Sequence, residues 1–237
     1  MADRPYTLLS CSMSLDGYLG GATQERLLLS NDADFDRIDE VRAGCDAILV
    51  GAATVRKDNP RLLVREERRR SARVAAGLPT SPAKVTVTAH GDLDPRADFF
   101  TAGDSEKLVY CSTDAVTSAR GRLGPVATVI DAGHAPRRMR RVGEDLHERG
   151  VRRLMVEGGG TMHTQFLTGG LADELQLVVA PFFVGDSRAR RFVDDGRFPW
   201  CSDHRARLVE TRAIGDVVLL RYALSERFDG GPALPDR

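Results

Sequence analysis

Cysteine is scarce in this chain, and the four that occur, Cys11, Cys45, Cys111 and Cys201, lie far apart. No C-x-x-C pair is present, which excludes the usual zinc ribbon and the thioredoxin-type redox site. Cys11 and Cys111 stand inside apolar runs and read as buried thiols, in keeping with a reducing, cytoplasmic setting. The five histidines are scattered and form neither H-E-x-x-H nor H-x-E, so no metal site is expected. Net charge is absent as well: 34 basic residues balance 34 acidic ones. That leaves no global field to draw nucleic acid or a membrane surface. Two local basic runs, Arg65–Arg73 and Arg137–Arg141, contain no aromatic residue on which a base can stack, and they read as solvated faces. No apolar run approaches the ~18 residues of a membrane span. The first residues carry no signal-peptide core, so no membrane association is expected.

What is present is an α/β pattern. Short apolar strands are expected at Tyr6–Met13, Ala47–Gly51, Lys84–Thr88, Leu108–Cys111, Ala127–Ile130 and Leu154–Val156. Between them, Asn31 or Asp32 caps a helix running to Ala43, and Arg138–Glu148 reads as a charged helix. Residues 66–82 are polar and contain Gly77, Pro79 and Pro82, the signature of a loop with one helical turn. A longer apolar strand is expected at Glu174–Val184, then an antiparallel pair at Arg207–Arg212 and Val217–Leu224 around Gly215-Asp216. The fold expected is a mainly parallel central sheet flanked by helices, with a C-terminal antiparallel hairpin. One domain is expected over 1–224, and the Gly-, Pro- and Asp-rich tail, 225–237, reads as disordered.

One segment carries chemistry more plainly than the rest, Leu154-Met155-Val156-Glu157-Gly158-Gly159-Gly160-Thr161. An apolar strand ends in a carboxylate, three glycines follow, and a helix begins near Met162. Glycines let backbone N–H groups approach a ligand closely, and a helix N-terminus adds unpaired donors and partial positive charge. A phosphate or pyrophosphate fits there, with Glu157 at the mouth of the crevice. Gly51-Ala52-Ala53-Thr54 ends the second strand in the same manner, with Thr54 offering a hydroxyl and a cap-like position. Arg42, Arg61 and Arg65 are the arginines placed to read an anion.

These blocks, in this order, resemble the reductase domain of the bacterial bifunctional riboflavin-biosynthesis deaminase-reductase and its stand-alone relatives. The matching residues are Met13-Ser14-Leu15-Asp16-Gly17, Arg42 through Val55, Asp58 through Arg65, Val156–Gly160, Gly170–Leu175 and Ala180-Pro181. The resemblance implies a dihydrofolate-reductase-like fold, NADPH as cofactor, and a small phosphorylated substrate. The reaction it implies is reduction of a ribosylamino-pyrimidinone phosphate to its ribitylamino form. The deaminase's H-x-E and P-C-x-x-C zinc pattern is absent here, so the resemblance is to the stand-alone reductase. A homodimer is implied too, and the apolar strand from Leu175 to Val184 is a candidate for pairing with a copy of itself.

By the same resemblance, Ser12, Met13, Thr54, Asp58, Thr88, Gly158, Gly159, Gly160, Thr161 and Met162 are expected to hold the cofactor. Arg42, Leu62, Arg65 and Glu157 are expected to hold the substrate. Asp16 or Asp58 is expected to move the proton, with Glu157 accepting hydrogen bonds from substrate amino or hydroxyl groups. Two departures from the bifunctional enzymes stand out: the resemblance implies a lysine on the first strand where this chain has Ser10, and it allows an aromatic near the cofactor where this chain has Leu28. These leave open a pterin or other heterocycle reductase of the same fold, and a non-catalytic NADPH-binding sensor.

Overall fold

The computed structural model describes residues 4–23, 27–135 and 138–228. Strands and helices alternate in chain order. They are β1 (Tyr6–Ser14), α1 (Asp32–Ala43), β2 (Ala47–Gly51), α2 (Ala52–Asp58), α3 (Glu67–Ala75), β3 (Ala83–Thr88), α4 (Asp98–Thr101), β4 (Lys107–Cys111), α5 (Val116–Leu123), β5 (Thr128–Asp131), α6 (Arg138–Glu148), β6 (Arg153–Gly158), α7 (Gly160–Thr168), β7 (Glu174–Ala180), β8 (Arg207–Ile214) and β9 (Val217–Ala223). Among the described residues the strands form one nine-stranded sheet in the order β5-β4-β3-β2-β6-β1-β7-β9-β8. The pairs from β5 through β7 are parallel, and β7-β9 and β9-β8 are antiparallel. The architecture is the expected α/β sheet with its C-terminal antiparallel pair.

Helices cover both faces, which is why β2 is buried at every position. On one face α6 and α7 pack Met139, Val142, Leu146, Met162 and Phe166 against Leu9, Leu49, Val85 and Leu108. On the other, α2, α4 and α5 pack Val55, Phe99, Phe100, Ala119 and Leu123 against Leu8, Ile48, Val109 and Met155. Helix α1 lies on this second face but is fixed largely by charge. Its most buried residues are Asp34, Arg37 and Asp39, and Arg37 donates to Asp34 and to Gln176 on β7. Its start is as expected, with the Asn31 side chain accepting the Asp34 N–H.

Several expectations are corrected. Residues 67–75 are helical rather than loop. Glu66 caps the N-terminus of α3, and Arg73, 4% exposed, donates to the carbonyls of Pro79, Ala43 and Cys45. Strand β7 stops at Ala180, before Pro181, and is hydrogen-bonded to β1 on one side and β9 on the other. Its backbone is fully used, so it offers no edge to a second copy; β8 is the sheet edge on that side. Residues 225–228 are packed rather than loose: Ser225 and Arg227 donate to Asp173, and the Phe228 ring lies under the guanidinium groups of Arg207 and Arg221. The rest of the expected tail lies outside the described residues. Cys111 is buried as expected, Cys11 is half-buried, and all four cysteines are free thiols. No helix among the described residues is long and apolar enough to cross a membrane.

Candidate active site

The carboxyl ends of β1, β2, β3 and β6 open on one crevice, the usual ligand position in a parallel sheet. Small residues shape it. Gly158 has φ +150°, and a side chain there would meet open space. Gly159 has φ +81° and caps α7, and a Cβ on it would lie 3.3 Å from Thr54 Oγ1. Gly160 allows backbone contact, because a Cβ there would sit 2.5 Å from the Arg191 carbonyl oxygen. Gly158 and Gly159 thus leave bare backbone beside the N-terminus of α7, where unpaired N–H groups and the helix dipole favour an anion.

The crevice divides into three adjoining cavities that all share Glu157. The largest, about 540 Å³, runs from Ser12 past Thr54 and Gly158–Met162 to Thr88. A second, about 440 Å³, lies between β1 and α1 and includes Ser10, Cys11, Ser12, Phe35, Arg42 and Arg65. The third, about 260 Å³, is walled by Val50, Thr54, Lys57, Asp58, Pro60 and Leu62. Leu62 is buried with φ +50°, a strained backbone state for a branched residue. Glu157 reaches the junction through a β-bulge: Leu49 pairs with Val156 and Val50 with Gly158, so Glu157 has no partner in the register. Bulges next to active sites re-aim a side chain in this way.

The electrostatic centre of the site is a bidentate ion pair. Arg42 Nε and an Nη donate to the two carboxylate oxygens of Glu157, each at 2.6 Å. Burial disfavours the Arg42 charge, but Glu157 overcomes this and raises its pKa above the usual arginine value. The other Nη of Arg42 donates to the Leu63 carbonyl at 3.3 Å. Two expectations change here. Arg42 is committed to a carboxylate rather than free to read a phosphate, and both Glu157 oxygens already accept from a guanidinium. Arg65 is more open: it is exposed, donates to the Phe35 carbonyl, and stands 3.7 Å from Asp39.

The structure draws most of the expected residues to the crevice and leaves two, Met13 and Asp16, apart. Ser12, Thr54, Asp58, Thr88, Gly158, Gly159, Gly160, Thr161 and Met162 all line the large cavity. Thr54 lies inside α2 rather than at its cap, which is Gly51. Met13 lies outside all three cavities and packs against the hydrophobic core. Leu28 lines the cavity beside α1. Asp16 lies outside all three cavities. Against the upward push of desolvation, hydrogen bonds from the Ser14 hydroxyl and from the Val184 and Gly185 N–H groups hold its carboxyl down at about 2. A carboxyl so held clamps a loop and has no proton to move near neutral pH, which corrects the catalytic expectation for Asp16.

Sequence reasoning missed Lys57, which lines two of the cavities, and the charged rim of Arg56, His90, Asp92, Arg138 and Arg190. Lys57 sits one residue before the Asp58-Asn59-Pro60 block, so its place at the end of α2 was available as a signal.

Comparison with known proteins gives the family. The family model described as the RibD C-terminal domain matches residues 5–220. A 2,5-diamino-6-ribosylamino-4(3H)-pyrimidinone 5′-phosphate reductase of Methanothermobacter thermautotrophicus is 34% identical over 93% of this chain and 99% of its own. A protein of the same name from Archaeoglobus fulgidus is 30% identical over 95% of this chain and 99% of its own. Among solved structures, a pyrimidine reductase-like protein of Corynebacterium diphtheriae superposes with a TM-score of 0.78 at 21% identity, covering 92% of this chain and 91% of that one.

Proposed function

The chain belongs to the RibD C-terminal domain family, and on that premise we propose that it reduces a ribosylamino-pyrimidinone 5′-phosphate to the ribitylamino compound with NADPH. The observation that carries this reading is the junction at Glu157, where a long glycine-lined cleft meets two polar cavities. A reduced nicotinamide supplies a hydride when bound. The residues do the positioning. Gly158–Gly160 and the first N–H groups of α7 hold the pyrophosphate, with Thr161 and Met162 beside them. Ser12, Thr54 and Asp58 hold the nicotinamide half, Met13 contributing through its backbone, and Thr88 the adenosine half. The basic rim of Arg56, Arg138 and Arg190 suits the additional phosphate of NADPH. Glu157, aimed by Arg42, faces the substrate's donors, Leu62 packs on its ring, and Arg65 takes its phosphate. A homodimer is part of the same reading, with β8 as the sheet edge left for a second copy.

The test follows loss of reduced-nicotinamide absorbance with the phosphorylated substrate, its dephosphorylated form and a dihydropterin. NADPH oxidation with the phosphorylated pyrimidinone, faster than with NADH, is expected. Turnover of the dihydropterin alone overturns the reading.

Arg65→Ala isolates the phosphate contact. The exposed guanidinium is expected to contribute about 1.4 kcal/mol or more to substrate binding, a tenfold rise in KM. The cofactor constant stays within about twofold, and KM for the dephosphorylated compound is unchanged. Equal rises for both forms of the substrate place Arg65 elsewhere.

A further inference from the structure

Reduction of a ribosylamine opens the sugar. The bond from C1 to the ring oxygen breaks, a hydride forms the new C–H bond at C1, and the ring oxygen leaves as a hydroxyl that needs a proton. This chain must supply that proton from a side chain that lines the site.

The protonatable side chains that line both the cofactor cleft and a neighbouring cavity are few. Among the described residues they are Cys11, Lys57, Asp58 and Glu157. Burial pushes the Cys11 thiol far up, so it holds its proton. Glu157 has both oxygens occupied by hydrogen bonds from Arg42. His90 and His163 line the cleft alone, and burial pushes the His163 imidazole down to about 4, so it is neutral. Lys57 and Asp58 remain, side by side at the end of α2. Negative charge develops on the departing ring oxygen. An ammonium stabilises that charge and brings the proton, whereas a carboxylate repels it.

We propose that Lys57 is the proton donor of the reaction, delivering its proton from Nζ to the sugar-ring oxygen as the bond to C1 breaks. This rests on the pyrimidinone reductase reading. The electron pair of the C–O bond stays with oxygen, the nicotinamide is oxidised as C1 is reduced, and the neutral amine regains its proton from water. The placement suits that last step, because Lys57 is exposed at the cavity mouth. The groups around it are charged on both sides: Asp58 follows it, Glu157 and Arg42 face it across the smaller cavity, and Arg56 before it is paired with Asp92 at 3.0 Å. The αL residue Asn59 ends α2 directly after this pair and takes the Asp98 N–H, which fixes the helix end that carries Lys57.

The experiment compares the parent with Lys57→Ala and Lys57→Arg, with ethylamine added to each. Cofactor affinity is read without substrate, by fluorescence transfer from Trp200 to the nicotinamide. Loss of the donor is expected to lower turnover by about 10²- to 10⁴-fold, with cofactor affinity within about threefold. Ethylamine restores part of the activity of Lys57→Ala. Lys57→Arg stays slow, because a guanidinium keeps the charge and does not release a proton. Turnover of Lys57→Ala within threefold of the parent, or a fully active Lys57→Arg, overturns the donor role and leaves the reductase reading intact. A parent that does not turn over the phosphorylated pyrimidinone overturns both.

Discussion

Asp173→Ala is expected to lower stability by about 3 kcal/mol, read as a shift in the urea unfolding midpoint with the slope unchanged. Asp173 is fully buried just before β7 and gathers both ends of the described chain. Arg4 grips it with two hydrogen bonds at 2.6 and 2.8 Å. The Thr7 N–H donates at 2.9 Å and the Ser225 hydroxyl at 2.6 Å. Removing the carboxylate strands these donors, although Arg4, 17% exposed, still reaches water and keeps the cost at the lower end for a buried pair. Burial works to raise the Asp173 pKa, but the bonds from Arg4, Ser225 and Thr7 outweigh it and hold the carboxyl below its ordinary value. The unfolded chain titrates at ~3.9. The stabilisation is therefore complete above that value and is lost as pH falls through the lower, folded one. The gap between parent and variant should be constant from about pH 6 upward and shrink below about pH 4. A gap that stays constant into strong acid places the stabilisation in packing rather than in the charge.

The parts of the fold visible in the sequence are those whose cause is local. The Asn31 cap needs only its own side chain and the Asp34 N–H. An uninterrupted apolar run such as Ala47–Gly51 needs burial on both faces. The turn at Gly158-Gly159 needs backbone freedom that other residues lack. The parts that were hidden depend on charge meeting charge across the chain. Helix α3 carries four arginines and little apolar surface, so hydrophobic spacing does not reveal it. It is held by Arg69 on Asp36 and Asp39 and by Arg73 on three carbonyls. The anchors of α1 are charged for the same reason. In the candidate site, Arg42 and Glu157 were each legible as functional residue types. Their pairing across 115 positions was not, because it arises from a β-bulge in β6 facing a helix on the second face.

That pairing reshapes what Glu157→Gln should do. A free carboxylate facing substrate would lose turnover and leave stability alone. The bidentate pair makes both change, since a glutamine oxygen accepts where the carboxylate accepted twice and Arg42 loses its counter-charge. Turnover is expected to fall by about 10²-fold, the scale of one preorganised electrostatic contact, and stability by about 1–2 kcal/mol. NADPH affinity should stay within about threefold, ~0.65 kcal/mol, because the substitution leaves untouched the Gly158–Gly160 and α7 segment proposed to hold the pyrophosphate. Arg42→Met separates the roles of the two partners. If Arg42 serves to aim Glu157, its loss copies the turnover defect, and the double variant is no slower than either single one, as for residues acting as a unit. Its effect is then the same on phosphorylated and dephosphorylated substrate. If Arg42 instead releases Glu157 to take the phosphate, its loss raises KM for the phosphorylated form alone and the two defects multiply. The observed geometry, with two 2.6 Å bonds to Glu157 and a third to Leu63, predicts the first pattern. Multiplying defects with a phosphate-dependent KM would return Arg42 to the anion-reading role that the sequence assigned to it.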